Sequence, residues 1–371
     1  MRIGIDAKWY YSGPPSGINV VRNLVDNVIK YNSKDNIVFY LNKKDMRFKG
    51  NFASKISGKN NLSFIFIPGR INIITNMLLF PYYIWNNKID IVLFQNYIPI
   101  WGSSKTKYIN YVHDILFLDY PEYFTKLENI IYRFMIYSIK KAKYVITISK
   151  SEKNRIIKHS GIHFNNISYV YHGLDPIFYE RPKNKLTSIK NKYKLPSNYI
   201  LYVGRINVRK NIQTLLKSIS VLDKKISLVI IGKESNSLNL NNEVTNLGIT
   251  DKVYRLGYVS DNDLAKIVSG ATIFVFPSYA EGFGLPPLEA MKSGIPTIVT
   301  KLTSLPEICG DAVLYFDVDN HLDLASKIEI LLEDQNLYSN LKSKGILKAN
   351  EYSWEKSVKK IMGIFNKVNH N

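Results

Sequence analysis

Along its whole length the chain alternates short apolar runs with stretches of helical periodicity, and this restricts the fold more than any other feature. In the first half the runs are Arg2–Asp6, Ile37–Leu41, Leu62–Ile67, Ile89–Phe94, Tyr108–Val112, Tyr144–Ser149 and Ile167–Tyr171. In the second they are Tyr199–Val203, Ile226–Ile231, Lys252–Leu256, Ala271–Pro277, Thr297–Thr300 and Val313–Phe316. Apolar runs separated by helices suit parallel strands flanked by helices, an α/β class. No short period repeats, which excludes a solenoid. At 371 residues the chain is long for one domain and comfortable for two. The expected division is 1–180, a Lys-, Asn- and Pro-rich connection at 181–197 bracketed by Pro182 and Pro196, and 198–350. A terminal segment, 351–371, carries a helix from about Ser353 to Lys367 with Trp354, Val358, Ile361 and Ile364 on one apolar stripe.

Ligands of open parallel sheets bind outside the carboxyl ends of the strands, so chemistry belongs where these runs end. After Ala271–Pro277 comes S-Y-A-E-G-F-G-L-P-P-L-E-A-M-K-S-G-I-P-T-I-V-T, from Ser278 to Thr300. One continuous helix would leave Glu281 and Glu289 roughly 80° apart around its axis. The better reading puts Glu281 on the loop and Glu289 inside the following helix. Amides near Phe283, Gly284 and Leu285 then face outward at the helix start, where an anion is stabilised by free donors and the helix dipole. A nucleotide diphosphate carrying a polyhydroxylated group fits this arrangement, with one carboxylate accepting hydrogen bonds at each end.

Three further strand ends carry candidate residues. The stretch Gly204-Arg205 through Lys210-Asn211 follows Tyr199–Val203 and precedes a helix expected over Ile212–Lys224. Gly204 permits close backbone approach, while Arg205 and Lys210 supply a fork and a point charge for a diphosphate. The loop G-P-P-S-G-I-N, Gly13–Asn19, reads equally as an amide cradle including Gly17 or as a plain turn with a helix cap. His113, in Val112-His113-Asp114, suits a hydrogen bond to a sugar hydroxyl and equally suits a structural role. His172 is another histidine at a strand end, and Gly173 after it reads as a turn before the connection.

Composition narrows the partners. Cys309 is the only cysteine, which precludes an internal disulfide and reads as a buried small residue. The start of the chain shows no secretion signal, so a cytoplasmic setting is expected. The longest apolar stretch, Ile71–Trp85, is interrupted by Asn72, Asn76 and Pro81 and is too short to span a bilayer. Net charge is +20, yet the lysines are scattered and no nucleic-acid-recognition signature is present, so nucleic acid is not the expected partner. A basic nucleic-acid-binding protein stays as the alternative class. Residues 1–180 hold 24 Lys+Arg against 12 Asp+Glu. There Arg133, Lys140, Lys141 and Lys143 adjoin Ile130, Ile131, Phe134, Met135 and Ile136, a pattern for peripheral contact with an anionic membrane or for a soluble helix with a buried stripe. No histidine pair has metal-ligand spacing, and Asp317-Val318-Asp319 reads as a turn, so no metal is expected.

The motifs together resemble the retaining GT-B glycosyltransferases of family 4. The resemblance rests on E-G-F-G-L-P-P-L-E-A-M, V-G-R-I-N-V-R-K-N, the V-H-D strand end, the opening R-I-G-I-D-A, S-L-P-E-I-C-G-D-A at Ser304–Ala312 and the Y-S-W-E start of the last helix. It covers nearly the whole chain and is strongest from Val203 to Asp317. It implies a GT-B fold: two facing Rossmann-like domains with parallel sheets and a C-terminal helix crossing back to the first. It further implies a nucleotide-sugar donor, retention of anomeric configuration, and neither metal nor cofactor. By resemblance, Arg205 and Lys210 hold the donor diphosphate, Glu289 the ribose hydroxyls and Glu281 the transferred sugar. Gly204, Gly282, Phe283, Gly284 and Leu285 lend backbone to the donor, and Gly17 and His113 contribute from the acceptor-side domain. The family often has a simpler Gly-x-Gly loop where this chain has G-P-P-S-G. The donor guess is GDP-mannose, the acceptor a glycan or a polyprenyl-diphosphate-linked oligosaccharide. A GT-B sugar-nucleotide epimerase would share the fold.

Overall fold

The computed structural model describes residues 1–32, 34–68, 71–222, 226–234 and 239–370. The chain forms two compact units: Met1–Gly173 together with everything from Ser353 onward, and Leu174–Tyr352.

In the first unit the strands are β1 (Arg2–Asp6), β2 (Asn36–Asn42), β3 (Leu62–Ile67), β4 (Ile91–Gln95), β5 (Lys107–Val112), β6 (Tyr144–Thr147) and β7 (Ile167–Tyr169). Among the described residues they make one parallel sheet in the order β3-β2-β1-β4-β5-β6-β7. The chain winds outward from β1 in one direction, then returns and winds the other way from β4. That reversal opens a crevice beyond the carboxyl ends of β1 and β4. One face is sealed by aromatic packing, with Phe80 edge-on to Tyr40 at 4.7 Å and to Phe94 at 4.9 Å between ring centroids.

The second unit repeats the plan. Its strands are β8 (Tyr199–Val203), β9 (Ser227–Ile231), β10 (Val253–Gly257), β11 (Ile273–Phe276), β12 (Thr297–Thr300) and β13 (Leu314–Phe316). They run parallel in the order β10-β9-β8-β11-β12-β13, with Leu201 opposite Phe274 where the order reverses. Ile200, Tyr202, Leu215, Ile219, Leu228, Ile230, Ile273 and Val275 fuse strands and covering helices into one core. Each such side chain contributes about 1.5–3 kcal/mol by leaving water. The helix after β8 runs Ile212–Val221. Its expected end at Lys224 lies outside the described residues.

One expectation is corrected by the structure. The first helix starts at Pro15, not after the glycine loop, because a proline suits the first turn of a helix where its missing N–H is no loss. Gly17 is therefore helical. The stretch 181–197 holds a 3-10 turn, Lys183–Leu186, and a helix, Thr187–Tyr193. Leu186 and Ile189 are buried, and Arg181 donates to the carbonyls of Ile177 and Ala265 and lies 3.9 Å over the Tyr179 ring.

The last helix, Trp354–His370, packs on the first helix, Pro15–Tyr31, and buries Trp354, Val358, Ile361, Ile364, Phe365 and Val368. Lys107 caps its end, donating to the carbonyls of Val368 and Asn369 at 2.8 Å each. Its start is held by close backbone contact: a Cβ on Gly173 would lie 2.0 Å from the Trp354 nitrogen and 2.5 Å from the Ser353 carbonyl carbon. Neither neighbour is a side chain that can swing away. Gly173→Ala is expected to cost about 2 kcal/mol or more and to lower the thermal midpoint by several degrees, read by differential scanning calorimetry.

Candidate functional site

In the second unit the two loops at the sheet's reversal point, after β8 and after β11, carry the charged residues. The β8 loop turns at Val208–Lys210, where Asn207 accepts from the Lys210 amide at 3.2 Å and Asn211 takes a left-handed φ of 51°. This turn aims Arg209 and Lys210 at the β11 loop. Lys210 Nζ donates to Glu281 Oε1, and Arg209 lies 3.6 Å from Oε2. Ser278 Oγ donates to Glu281 Oε1 at 2.5 Å. The backbones are tied as well: Tyr279 N donates to Arg209 O at 2.9 Å, and the Arg209 guanidinium to Ala280 O. From the other side Thr303 Oγ1 accepts from Glu281 N at 2.9 Å, and Ser304 Oγ reaches the carbonyls of Glu281 and Phe283.

Glu281 and Lys210 are 8% and 9% exposed, so their pairing is a buried ion pair with most of its lone pairs satisfied. Burial alone would push the Glu281 carboxyl up. The ammonium of Lys210 and the guanidinium of Arg209, with hydrogen bonds from Lys210 and Ser278, outweigh it and hold the carboxyl below its ordinary value. Glu289 behaves oppositely. It sits buried in the helix Leu285–Lys292, and burial, with the carboxylates of Asp175 and Asp261 nearby, pushes it up to about 8. At neutral pH the segment thus holds one ionised carboxylate and one neutral carboxylic acid, a division of labour that environment imposes on identical side chains.

The helix start between them is built around Gly284, whose φ is 114° and whose Cβ, if present, would strike Leu305 Cδ2 at 2.8 Å. Pro286 and Pro287 remove two donors from the first turn. The amides left without a protein acceptor at this helix start, among the described residues, are therefore those of Gly284 and Leu285.

Arg205 is exposed, its carbonyl accepts from Tyr202 OH at 2.7 Å, and its side chain has no protein partner among the described residues. The second cation at Glu281 is Arg209, which sequence reasoning passed over although it stands beside Lys210. Gly204 continues the β8 ladder by donating to Ile231 O at 3.0 Å.

In the first unit the corresponding reversal point carries a buried polar chain. Lys8 Nζ bonds Asp6 Oδ1 and Asn76 Oδ1, and Asn76 Nδ2 bonds Asp6 Oδ2 at 3.1 Å. Gln95, at the end of β4, donates to the Asp6 carbonyl at 3.3 Å, and its Oε1 lies 2.8 Å from His113 Nε2. Asn96, at a φ of 65°, accepts from the His113 amide at 3.1 Å. Burial, against a smaller opposing pull from Asp6, lowers His113 to about 4, so the ring is neutral at physiological pH. Gln95 and Asn96 were not anticipated, though two amides directly after the apolar Ile-Val-Leu-Phe are a legible signal. His172 is buried, 3.2 Å from Tyr111 OH and ring-packed on Trp354. Gly13 and Gly17 make room for Trp9, whose ring a Cβ at either position would meet at 2.7 Å.

The opposite states of the two glutamates are testable through stability. Between the ordinary glutamate value and about 8 the folded protein keeps a proton on Glu289 that the unfolded chain has released. Stability therefore falls as pH rises through that window and levels above it. Glu289→Gln removes this dependence, so the variant's thermal midpoint should gain on the wild type progressively from pH 5 to 8, by the equivalent of a few kcal/mol. Buried Glu152, also raised to about 8, acts equally in both proteins and drops out of the difference.

Comparison with known proteins follows the same division. The family model described as glycosyl transferases group 1 matches residues 185–348, and that described as glycosyltransferase family 4 matches residues 52–178. The O-antigen chain mannosyltransferase B of Escherichia coli is 31% identical over 251 residues, 66% of this chain and 66% of its own length. The O-antigen chain mannosyltransferase RfbU of Salmonella typhimurium is 34% identical over 220 residues, 59% of each chain. The match thus spans about two thirds or less of these relatives. Among solved structures, HepE from Anabaena in complex with UDP and glucose has a TM-score of 0.76 at 18% identity, covering 99% of this chain and 100% of its own. Sucrose-phosphate synthase from Thermosynechococcus elongatus has a TM-score of 0.77 at 17% identity over 99% of both. These likenesses establish the fold as GT-B.

Proposed function

The chain belongs to the glycosyl transferases group 1 family of GT-B glycosyltransferases, and on that premise we propose that it moves a hexose from a nucleotide-diphosphate sugar to a hydroxyl of a glycan or lipid-linked oligosaccharide in surface polysaccharide assembly. The observation that carries this reading is the pairing of ionised Glu281 with Lys210 and Arg209 beside the Gly284–Leu285 amides, at the strand ends of a Rossmann-like sheet. GDP-mannose is the first donor to test, because the relatives named above are mannosyltransferases.

In this proposal Lys210, the unpaired Arg205 and the amides of Gly284 and Leu285 take the diphosphate. Glu289 meets the ribose hydroxyls, and Glu281 the hydroxyls of the sugar. A diphosphate draws the Lys210 ammonium from Glu281, which frees carboxylate lone pairs to accept from the sugar as the donor arrives. Substitution proceeds on the front face: the C1–O bond to the leaving diphosphate breaks as the acceptor oxygen bonds to C1, and the acceptor's proton passes to the leaving phosphate oxygen. The anomeric configuration is retained, and the oxocarbenium-like transition state is stabilised by charge and positioning.

A nucleotide-sugar panel with glycan acceptors tests the reading. Turnover with one donor, and an α-linked product from an α-linked donor by proton NMR, are expected. Glu281→Ala should lower kcat by about 100-fold or more while free nucleotide binds nearly as before. No stabilisation by any nucleotide sugar in a thermal-shift assay, and no turnover, would end this assignment.

The acceptor side of the proposal includes contact with an anionic membrane. Among the described residues no helix is long and apolar enough to cross a bilayer. The first unit instead exposes Leu78, Leu79, Tyr82 and Trp85 (70% exposed) beside Trp101, whose indole donates to Leu78 O at 3.0 Å. That loop is joined through Ile98 N and Ser138 Oγ, 3.2 Å apart, to the helix Lys126–Lys141, which exposes Leu127, Ile130 and Phe134 among Lys126, Arg133, Lys140 and Lys141. Apolar side chains ringed by cations suit an interfacial position. Co-sedimentation with liposomes should rise with anionic lipid content and fall on Trp85→Ser combined with Ile130→Ser. Binding indifferent to anionic lipid would sink this part.

A further inference from the structure

His113 has two ring nitrogens, and in the neutral imidazole one donates while the other accepts. Which one does so is decided by what the ring touches. Its Nε2 lies 2.8 Å from Gln95 Oε1. An amide oxygen cannot donate, so this contact requires a proton on Nε2, provided that the amide is oriented as stated and not flipped. The orientation has its own anchor: Gln95 Nε2 donates to the Asp6 carbonyl at 3.3 Å, and a flipped amide would set oxygen against oxygen there.

The anchor is in turn rigid. Asp6 is held through its carboxylate by Lys8 and Asn76, and Asn76 Nδ2 also donates to the carbonyl of Tyr97 at 3.0 Å, beside Gln95 and Asn96. Gln95, Asp6, Lys8 and Asn76 are all at most 3% exposed. The His113 backbone is fixed independently by Asn96 Oδ1. Backbone and ring are thus set by two consecutive residues, and the remaining nitrogen, Nδ1, has no protein partner among the described residues. His113 is itself only half-buried.

We infer that Gln95 is a positioning residue: it locks His113 in the tautomer protonated on Nε2, so that Nδ1 is presented as a fixed acceptor for a substrate hydroxyl. This rests on the proposed sugar transfer and deepens it by assigning the hydrogen-bond polarity of the first unit's contact with substrate. Burial keeps the ring neutral against a smaller opposing pull from Asp6. Around it stand Asp6 at the end of β1 and Lys8 just beyond, paired with each other, Tyr111 on β5 with its ring 5.0 Å away, His172 beyond β7 at 6.1 Å, and the Trp9 ring at 6.0 Å. His172 is itself held neutral, first by burial and then by His113.

The test is nitrogen NMR on protein labelled at the imidazole nitrogens, with the His113 signals identified by their loss in His113→Ala. Wild-type His113 should show the Nε2–H tautomer alone from pH 6 to 8. The Nδ1–H tautomer, or an exchanging mixture, overturns the proposal without any variant at Gln95. Gln95→Met, similar in length but unable to accept, should release the ring into a tautomer mixture. It should also lower kcat by about ten-fold or more with the donor KM within about two-fold, the pattern of a lost tautomer and not of lost binding. In a His113→Ala background Gln95→Met should cost less than about a further two-fold, because Gln95 acts only through the ring. Full multiplicative losses in the double variant, or a single unchanged tautomer in Gln95→Met, would overturn it. If no nucleotide sugar supports turnover by the wild type, the transfer reading fails while the NMR arm still decides what Gln95 does.

Discussion

The buried pair of Lys210 and Glu281 is the interaction on which the second unit's site depends. It joins two loops that are far apart in sequence but adjacent at the point where the sheet reverses its winding. A buried charge without a partner costs several kcal/mol, so each loop can adopt its conformation only while the other supplies the counter-charge. The neighbouring contacts extend the same logic. Arg209 grips the β11 loop by both its guanidinium and its carbonyl, and Ser278, Thr303 and Ser304 saturate the polar atoms around Glu281. What results is a rigid, charge-balanced surface that an anionic ligand must re-partition on arrival.

The first unit solves a different problem with the same topology. Its reversal point lacks a balancing cation–carboxylate pair facing a ligand, and Lys8 and Asp6 instead satisfy each other inside the protein with Asn76. That buried cluster leaves amide groups, Gln95 and Asn96, to hold a neutral histidine at the strand ends. One reversal point presents charge and the other hydrogen-bonding amides beside a histidine.

Much of the architecture was legible because parallel strands buried on both faces must be nearly continuous apolar runs. Each expected run became a strand, several at their expected bounds and others with shifted ends: Ala271–Pro277 became Ile273–Phe276, and Tyr144–Ser149 became Tyr144–Thr147. The helix Thr187–Tyr193 within 181–197 was not legible, because its many lysines mask the buried Leu186 and Ile189. Arg209 was overlooked for another reason. Which basic residue faces a carboxylate depends on the 3-10 turn at Val208–Lys210, which brings Arg209 beside Glu281.

By itself the sequence determined the α/β class, the family and the strand ends at which charged and polar residues collect, because these follow from local periodicity and short motifs. Only the tertiary structure decided the state of those residues. Burial first, and then the carboxylates of Asp175 and Asp261, distant in sequence, hold the Glu289 carboxyl up at about 8. Glu281 is ionised because Lys210 and Arg209 reach it across the sheet's reversal point. The His113 ring meets Gln95, whose amide is turned by the carbonyl of Asp6. Protonation and hydrogen-bond direction are set by burial and by partners brought together in space, and neither is written in the order of residues along the chain.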